Sequence, residues 1–303
     1  MSSNLNTLEL PAAHPAVEGW NYDEAFSRNL GLFTAAEQQR LRDCRVAIAG
    51  MGGVGGVHLL TLARMGIGRF TIADPDCFET ANMNRQAGAR IDTQGRPKAE
   101  VMAESACEIN PELDIRVFNT AVTADNVHEF LDGADVFVDG VDFFRLEARR
   151  LLFAVARARG IWGVTAGPMG FSTAWLAFDP AGMSFDEYFD LNNRMDALDQ
   201  LVAFAVGLAP RATHIPYLDM AHVDLAAERG PSSATACQLA SGVTGVEVAK
   251  ILLGRGKLLA APCYSQFDAW TRQFRTGKLR WGNRHPIQQI KRSLVRRRVA
   301  KDR

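Results

Sequence analysis

The chain has 303 residues, 47% of them hydrophobic, and can therefore bury a large core as one large or two modest domains. Its counts of Lys/Arg and Asp/Glu are equal, which excludes a protein that is strongly basic or strongly acidic overall. No apolar run reaches membrane-spanning length, and the polar N-terminus lacks the charged-then-apolar pattern of an export signal. We therefore expect a cytoplasmic protein with no integral membrane segment.

The first predicted strand, Arg45–Ala49, leads directly into a glycine-rich loop, GMGGVGG at Gly50–Gly56. Helical spacing of apolar residues begins at Val54. A strand, a glycine turn and a helix in this order bring backbone N–H groups and the positive end of a helix to one point, where phosphate binds well. No Lys-Ser or Lys-Thr follows the glycines, so the loop is not a Walker loop.

A second predicted strand, Phe70–Ala73, is followed by the acidic residues Asp74 and Asp76. A carboxylate at this spacing from a glycine loop suits hydrogen bonds to ribose hydroxyls, although Asp74 is equally well interpreted as a turn residue. Up to this point, an NAD-binding domain and an ATP-binding domain explain the sequence equally well.

Two cations further along the chain, Arg85 and Lys98, favour the ATP-binding interpretation. A dehydrogenase gains little from extra cations near the phosphates. An enzyme that cleaves a triphosphate must neutralise charge that develops on the leaving group. Arg can bind two phosphate oxygens at once, and Lys supplies a point charge.

A third predicted strand, Asp135–Asp139, is followed by Asp142. The carboxyl ends of parallel strands lie on the same edge of a sheet, so Asp142 is expected near the glycine loop, where a carboxylate is placed to hold Mg²⁺. For Asp139, at the strand end, we expect structural hydrogen bonds rather than metal binding.

The alternation of strands and helices from Arg45 to Thr165 predicts a Rossmann-like α/β fold, an open, mostly parallel sheet with helices on both faces. The second half continues this fold and adds a C-terminal antiparallel extension. Its predicted elements are a strand at 171–178, an irregular crossover over the active-site edge at 180–233 that includes a helix at 193–208, a helix at 237–253 that ends at Gly254, and a strand pair at 263–274.

The order of GMGGVGG, IADPD, NMNRQ, Lys98 and VDGVD resembles the ThiF/MoeB/HesA branch of the ubiquitin-activating enzyme superfamily. The likeness extends from about Phe26 to about Phe267. It implies ATP-dependent adenylation of a carboxylate with magnesium, in a homodimer. The residues to which the resemblance gives a role are Gly50, Gly52, Gly53, Gly55, Asp74 and Asp76 at the phosphates and ribose, Asn82, Arg85, Gln86 and Lys98 on the triphosphate, Asp142 on magnesium, and Arg28, inserted into the partner subunit's site.

The sequence departs from the family at two points. Phe143 follows the proposed magnesium aspartate where the family often has Asn. No Cys-x-x-Cys pair is present, so the structural zinc site of several relatives has no ligands, and the odd cysteine count fits a reducing cytoplasm. Cys237 opens a predicted helix, whose dipole would lower its pKa. We nevertheless expect a buried apolar residue there, and hence an enzyme without a covalent intermediate.

The sequence leaves more than one candidate for the acceptor. We expect the C-terminus of a small ubiquitin-like or sulfur-carrier protein, or a peptide. An alternative within the family is a dehydratase that adenylates threonylcarbamoyladenosine in tRNA, because the segment that starts at Lys98 looks like that group. Other classes are an NAD-dependent oxidoreductase, which leaves Arg85, Lys98 and Asp142 without roles, and a nucleotide-binding scaffold without catalysis.

The predicted organisation is an N-terminal arm (1–25), a ThiF-type domain (26–283) and a basic C-terminal tail (284–303). In the tail, Ile287, Ile290 and Leu294 share one face of a predicted helix. Such a helix would contact RNA, an acidic protein or an anionic membrane surface. We expect instead a frayed, solvated tail.

Overall fold

The computed structural model describes residues 7–9, 19–223 and 230–301, and its centre is one nine-stranded sheet. The strands are β1 (Thr7–Glu9), β2 (Arg45–Ala49), β3 (Arg69–Ala73), β4 (Asp114–Phe118), β5 (Val136–Asp139), β6 (Trp162–Met169), β7 (Ser172–Phe178), β8 (Cys263–Asp268) and β9 (Gln273–Lys278). Their order is β1-β4-β3-β2-β5-β6-β7-β8-β9. The five central strands are parallel, and β1, β7, β8 and β9 pair antiparallel. The predicted parallel core with an antiparallel C-terminal extension is confirmed.

Helices cover both faces of this sheet, as the predicted fold class requires. They are α1 (Tyr22–Ala25), α2 (Ala35–Asp43), α3 (Gly55–Arg64), α4 (Lys98–Cys107), α5 (Val127–Phe130), α6 (Leu146–Ala158), α7 (Phe185–Phe189), α8 (Ala197–Leu208), α9 (Ala234–Leu253) and α10 (Pro286–Lys301). Short 3-10 turns include Ser27–Asn29 and Thr80–Asn82.

Side chains of the central strands alternate between two buried clusters, one on each face of the sheet. In β2, Ala47 and Ala49 belong to one cluster, and Val46 and Ile48 belong to the other. The first cluster includes aromatic side chains of α6, α7 and α8, and the second includes apolar side chains of α3, α4 and α9. Because helices bury both faces, residues 46–49 of β2 are a continuous apolar run rather than an alternating one.

Three predictions for residues 180–253 differ from the structure. α8 begins at Ala197 rather than at residue 193, because the Asp196 carboxylate caps it by accepting the Asp199 N–H. α9 begins at Ala234 rather than at Cys237, because the Ser233 hydroxyl caps it by accepting the Ala236 N–H. The crossover at 180–233 was predicted to be irregular around one helix, but its described residues hold both α7 and α8.

One helix in the described part of the chain, α9, has the length and hydropathy of a membrane span, but 56% of that window is buried inside the protein. It packs against β6, β7 and α3. This position is that of a core helix in a folded domain.

The predicted frayed tail is wrong over residues 286–299, which are helical and attached to the domain. The buried Gln288 amide donates to the Val206 carbonyl, and Arg292 pairs with Asp190 at 2.7 Å. Arg296 pairs with Asp199 at 2.6 Å. These contacts hold α10 against α8, which the sequence pattern of the tail alone does not reveal.

Candidate functional site

The candidate site lies where β2, β3 and β5 end. Ala49 of β2 is in register with Ala73 of β3 and with Asp139 of β5. The residues that follow these strands therefore leave the sheet at one edge, as the sequence predicts. The glycine loop, Asp74 and the segment 140–142 meet there.

Two glycines of the loop are required by close backbone packing. Gly50 has a φ of 89°, and a Cβ on it would lie 2.1 Å from the Gly140 carbonyl oxygen. A Cβ on Gly55 would lie 1.7 Å from the Gly50 carbonyl oxygen. The loop can therefore take this path, and enter α3, only without side chains at these positions.

The other two predicted glycines face the NMNRQ segment. The Cβ position of Gly52 is 3.8 Å from Nε2 of Gln86. That of Gly53 is 3.7 Å from Cγ of Arg85 and 3.1 Å from Sγ of Cys237. The structure thus brings Arg85 and Gln86 onto the glycine loop, although they are some thirty residues away in sequence.

Asp74 is buried at the end of β3 and connects the loop to that strand. Its carboxylate accepts the Met51 N–H at 2.6 Å and the Asp76 N–H at 2.9 Å. Burial raises the pKa of Asp74, whereas these two hydrogen bonds and the charge of Lys98 act to lower it. A carboxylate oxygen accepts two hydrogen bonds, so one acceptor position on each oxygen remains for a ribose hydroxyl.

Lys98 begins α4, and its ammonium group is held at the same edge. Its Nζ donates to Oδ2 of Asp76 at 3.1 Å, and its backbone N–H donates to the Asp76 carbonyl at 2.9 Å. The Lys98 side chain is 9% exposed and that of Asp76 is 67% exposed. The lysine side chain is thus mostly buried, and its charge meets the exposed Asp76 carboxylate at the edge of the site.

The NMNRQ segment starts at the end of the 3-10 turn Thr80–Asn82, and its side chains are partly used to fold it. The buried Asn82 side chain accepts the Glu79 N–H at 3.0 Å. Nη1 of Arg85 donates to the Ala81 carbonyl and to the Asn84 side chain, both at 2.9 Å. Oε1 of Gln86 is buried and has no hydrogen-bond partner among the described residues. Nε2 of the same side chain is the atom nearest the Cβ position of Gly52, and it is a donor of the kind that phosphate oxygens accept.

Asp142 lies on an exposed turn after β5, and Asp139 lies below it in the core. One oxygen of Asp142 accepts the Phe144 N–H at 2.9 Å. Asp139 accepts hydrogen bonds from Nε of Arg149 and from the Thr165 hydroxyl, both at 2.7 Å. The structural role that the sequence predicts for Asp139 is therefore confirmed.

Arg149 is a contributor that the sequence reasoning missed. It donates to the backbone carbonyls of Val141 and Phe143, on the two sides of Asp142. Its guanidinium also lies 4.5 Å from the ring centroid of Phe204. Arg149 therefore fixes the turn that carries Asp142, and no motif in the sequence marks it.

Phe143 and Cys237 are both packed into the domain. The Phe143 ring lies 5.3 Å from that of Phe204. Cys237 is in the first turns of α9 and is buried. Burial raises the pKa of its thiol, although the Arg85 charge and a hydrogen bond with Ser232 act to lower it. The apolar role favoured for Cys237 fits this environment, and a lowered pKa does not.

Arg28 is exposed in the turn Ser27–Asn29, outside the group of residues gathered at the sheet edge. No group of three or more His, Cys, Asp and Glu side chains that could hold a metal ion occurs among the described residues. A metal at this site would thus depend on Asp142 together with oxygens from a ligand.

The fold and this edge define a Rossmann-like α/β protein whose glycine loop is placed to bind phosphate. The ThiF family model matches residues 26–286, and the chain belongs to that family. This finding confirms the family expected from the motifs.

Two relatives illustrate the range of the family. The tRNA threonylcarbamoyladenosine dehydratase of Haemophilus influenzae is 34% identical over 154 residues, 50% of this chain and 58% of that protein. The SAMP-activating enzyme E1 of Haloferax volcanii is 38% identical over 124 residues, 41% of this chain and 45% of that protein. The chain thus spans about half the length of these curated relatives.

A solved structure with a related fold is that of the E. coli tRNA N6-threonylcarbamoyladenosine dehydratase in complex with AMP. It has a TM-score of 0.56 and 25% sequence identity, and the match covers 77% of this chain and 95% of that one.

Proposed function

We propose that this protein uses ATP to adenylate a carboxylate. A carboxylate oxygen of the acceptor attacks the α-phosphorus, the bond between the α-phosphorus and the bridging oxygen breaks, and pyrophosphate leaves. The products are an acyl adenylate and pyrophosphate. A carboxylate is already ionised at neutral pH, so no group has to remove a proton.

The observation that carries this proposal is the placement of two cations at the sheet edge that carries the glycine loop. Arg85 packs over Gly53, and Lys98 is held at the same edge by Asp76. These charges suit a departing pyrophosphate, whose negative charge increases as the bond breaks. Since both side chains are already fixed by hydrogen bonds or an ion pair, little reorganisation is needed when charge develops.

The other predicted residues have roles that fit their positions. Asp74 would accept a hydrogen bond from the ribose, and Asn82 and Gln86 would line the polyphosphate side of the site. The backbone N–H groups from Gly50 to Gly55 would bind phosphate oxygens. Residues of this chain thereby orient the α-phosphate towards the acceptor.

Magnesium fits the donor set at Asp142. Mg²⁺ is commonly held by one or two carboxylates together with substrate phosphates and water. Asp142 offers an exposed carboxylate on a turn that Asp139 and Arg149 hold in place. When bound, the ion supplies further neutralisation of phosphate charge.

The acceptor that we favour is the C-terminus of a small ubiquitin-like or sulfur-carrier protein, or a peptide. The SAMP-activating enzyme E1 among the relatives supports this class. A tRNA carrying threonylcarbamoyladenosine is the second candidate, supported by the dehydratase relatives. We also propose that the active unit is a homodimer in the cytoplasm, with Arg28 reaching the partner subunit's site.

Pyrophosphate–ATP exchange with magnesium tests the proposal directly. The full chain would be assayed with small ubiquitin-like proteins, peptides or bulk tRNA. Exchange that requires one acceptor would establish adenylation and identify the acceptor class. Absence of exchange with every acceptor, together with tight NAD binding, would refute the proposal in favour of an oxidoreductase. ATP binding without exchange would favour the scaffold.

A further inference from the structure

The C-terminal helix α10 presents a surface that the proposed reaction does not use. Its inward side is fixed to the domain through Gln288, Arg292 and Arg296. On its outward side, Ile287, Ile290 and Leu294 follow one another at helical spacing. They are 56%, 61% and 59% exposed. Single exposed aliphatic side chains are common on protein surfaces, but three aligned on one face of a helix indicate an interaction surface.

The same outward side is cationic beyond the aliphatic stripe that Ile287, Ile290 and Leu294 form. Arg297 and Arg298 are three and four residues beyond Leu294, so they continue its face. Both are exposed, and no carboxylate among the described residues pairs with either. The nearby Asp196 and Asp199 bind the inward-facing Arg296 instead.

Charge in this chain is concentrated at the same end. Residues 269–303 contain twelve Lys and Arg and one acidic residue, whereas the chain as a whole has 34 of each sign. The formal neutrality of the protein therefore conceals a cationic C-terminal region joined to an acidic remainder. Such a region attracts anionic surfaces.

We propose that the outward face of α10 docks on an anionic lipid bilayer, with Ile287, Ile290 and Leu294 entering the interface and Arg297 and Arg298 on the headgroups. An interfacial helix combines these two features. Trp281, 60% exposed just before the helix, is a residue type that favours the same boundary.

Three other occupants fit the surface less well. RNA offers phosphates for the arginines but little apolar surface for three aliphatic side chains. A second copy of the chain would bring like charges together. A partner protein would need both an apolar groove for the single strip that α10 presents and carboxylates beside it for Arg297 and Arg298. An anionic bilayer is broad and flat, and it offers both charged headgroups and an apolar interior, so it matches that strip.

Vesicle co-sedimentation of the full chain tests this proposal. Vesicles of equal parts phosphatidylcholine and phosphatidylglycerol should bind the protein, and pure phosphatidylcholine should bind at least about tenfold less. Leu294→Asp should weaken binding to the anionic vesicles by about tenfold or more, because it places a charge in the apolar stripe. Ile91→Asp is the matched control: Ile91 is 83% exposed outside α10, and this variant should bind as the wild type does.

Circular dichroism and the thermal midpoint would check that each variant folds, as expected for solvent-exposed positions. A wild type that ignores anionic vesicles would overturn the proposal. Unchanged binding of Leu294→Asp, with binding lost in the double variant Arg297→Gln, Arg298→Gln, would overturn it in favour of a purely electrostatic, RNA-like contact. A wild-type dimer that Leu294→Asp dissociates, without vesicle binding, would assign the face to a second copy. Equal loss in Ile91→Asp would show that the effect is not specific to α10.

Discussion

The buried pair between Asp139 and Arg149 allows a quantitative prediction. Their side chains are 1% and 4% exposed, and Nε of Arg149 lies 2.7 Å from Oδ2 of Asp139. The substitution Arg149→Met keeps most of the side-chain length but removes every donor. The Asp139 carboxylate would then stay buried with only the Val141 N–H and the Thr165 hydroxyl as donors.

Breaking a buried ion pair from one side costs about 3–5 kcal/mol, because an uncompensated charge remains in the core. For a chain of 303 residues, the usual unfolding entropy per residue converts this loss to a fall of roughly 5–8 °C in the thermal midpoint. The exposed pair Arg96–Glu104, with side chains 41% and 50% exposed, supplies the control. Arg96→Met should change the free energy of unfolding by less than about 1 kcal/mol.

Urea unfolding followed by circular dichroism, with calorimetry for the midpoint, measures both variants. The double variant Asp139→Asn, Arg149→Met should regain part of the stability that Arg149→Met loses, since the stranded charge is removed. Arg149→Met within about 1 kcal/mol of the wild type would refute the reasoning. So would a double variant less stable than Arg149→Met alone.

Four further outcomes are expected. Arg85→Ala and Lys98→Ala should each lower the exchange rate by about 10²–10³-fold while circular dichroism shows a folded protein, and a wild-type rate would remove the phosphate role of the altered residue. Asp142→Asn should raise the Mg²⁺ concentration needed for half-maximal exchange, and an unchanged titration would point to another ligand. Mixing Arg28→Ala with Lys98→Ala, two variants expected to be almost inactive alone, should restore part of the activity if Arg28 acts in the partner subunit's site; no recovery in mixed dimers would contradict this. Burial lowers the pKa of His58 from 6.5 to about 3. In that pH range the unfolded chain binds a proton that the folded chain does not, so the free energy of unfolding should fall by up to about 1.4 kcal/mol per pH unit as the pH drops. A pH profile of urea unfolding that is the same in His58→Leu as in the wild type would contradict this expectation.

Local sequence signals were sufficient to predict the strands and the helix around the glycine loop. A strand that ends in Gly50, a helix that starts within the same loop and a second strand that ends at Asp74 are all encoded by neighbouring residues. Parallel pairing then places the strand ends together without further information. The meeting of Arg85 with Gly53 needed the family resemblance, because thirty residues separate them in sequence.

Long-range contacts account for what the sequence did not reveal. Arg149 is one arginine among several on α6, and only the fold shows that it reaches Asp139. The C-terminal helix is held by side chains whose partners, such as Asp190 and the Val206 carbonyl, are about a hundred residues earlier. Periodicity indicates that a helix can form there but carries no information about what it packs against.

The packing of Gly50, Gly55 and Gly140 has a consequence for the thermodynamics of binding. Their backbones touch so closely that the loop has little room to rearrange on its own. The glycine loop therefore has its binding conformation before a nucleotide binds, and the loop loses little conformational entropy on binding. The conformational entropy lost on binding is then mainly that of the acceptor and of the segments around it. Those segments can change to suit another acceptor while the phosphate-binding loop stays the same.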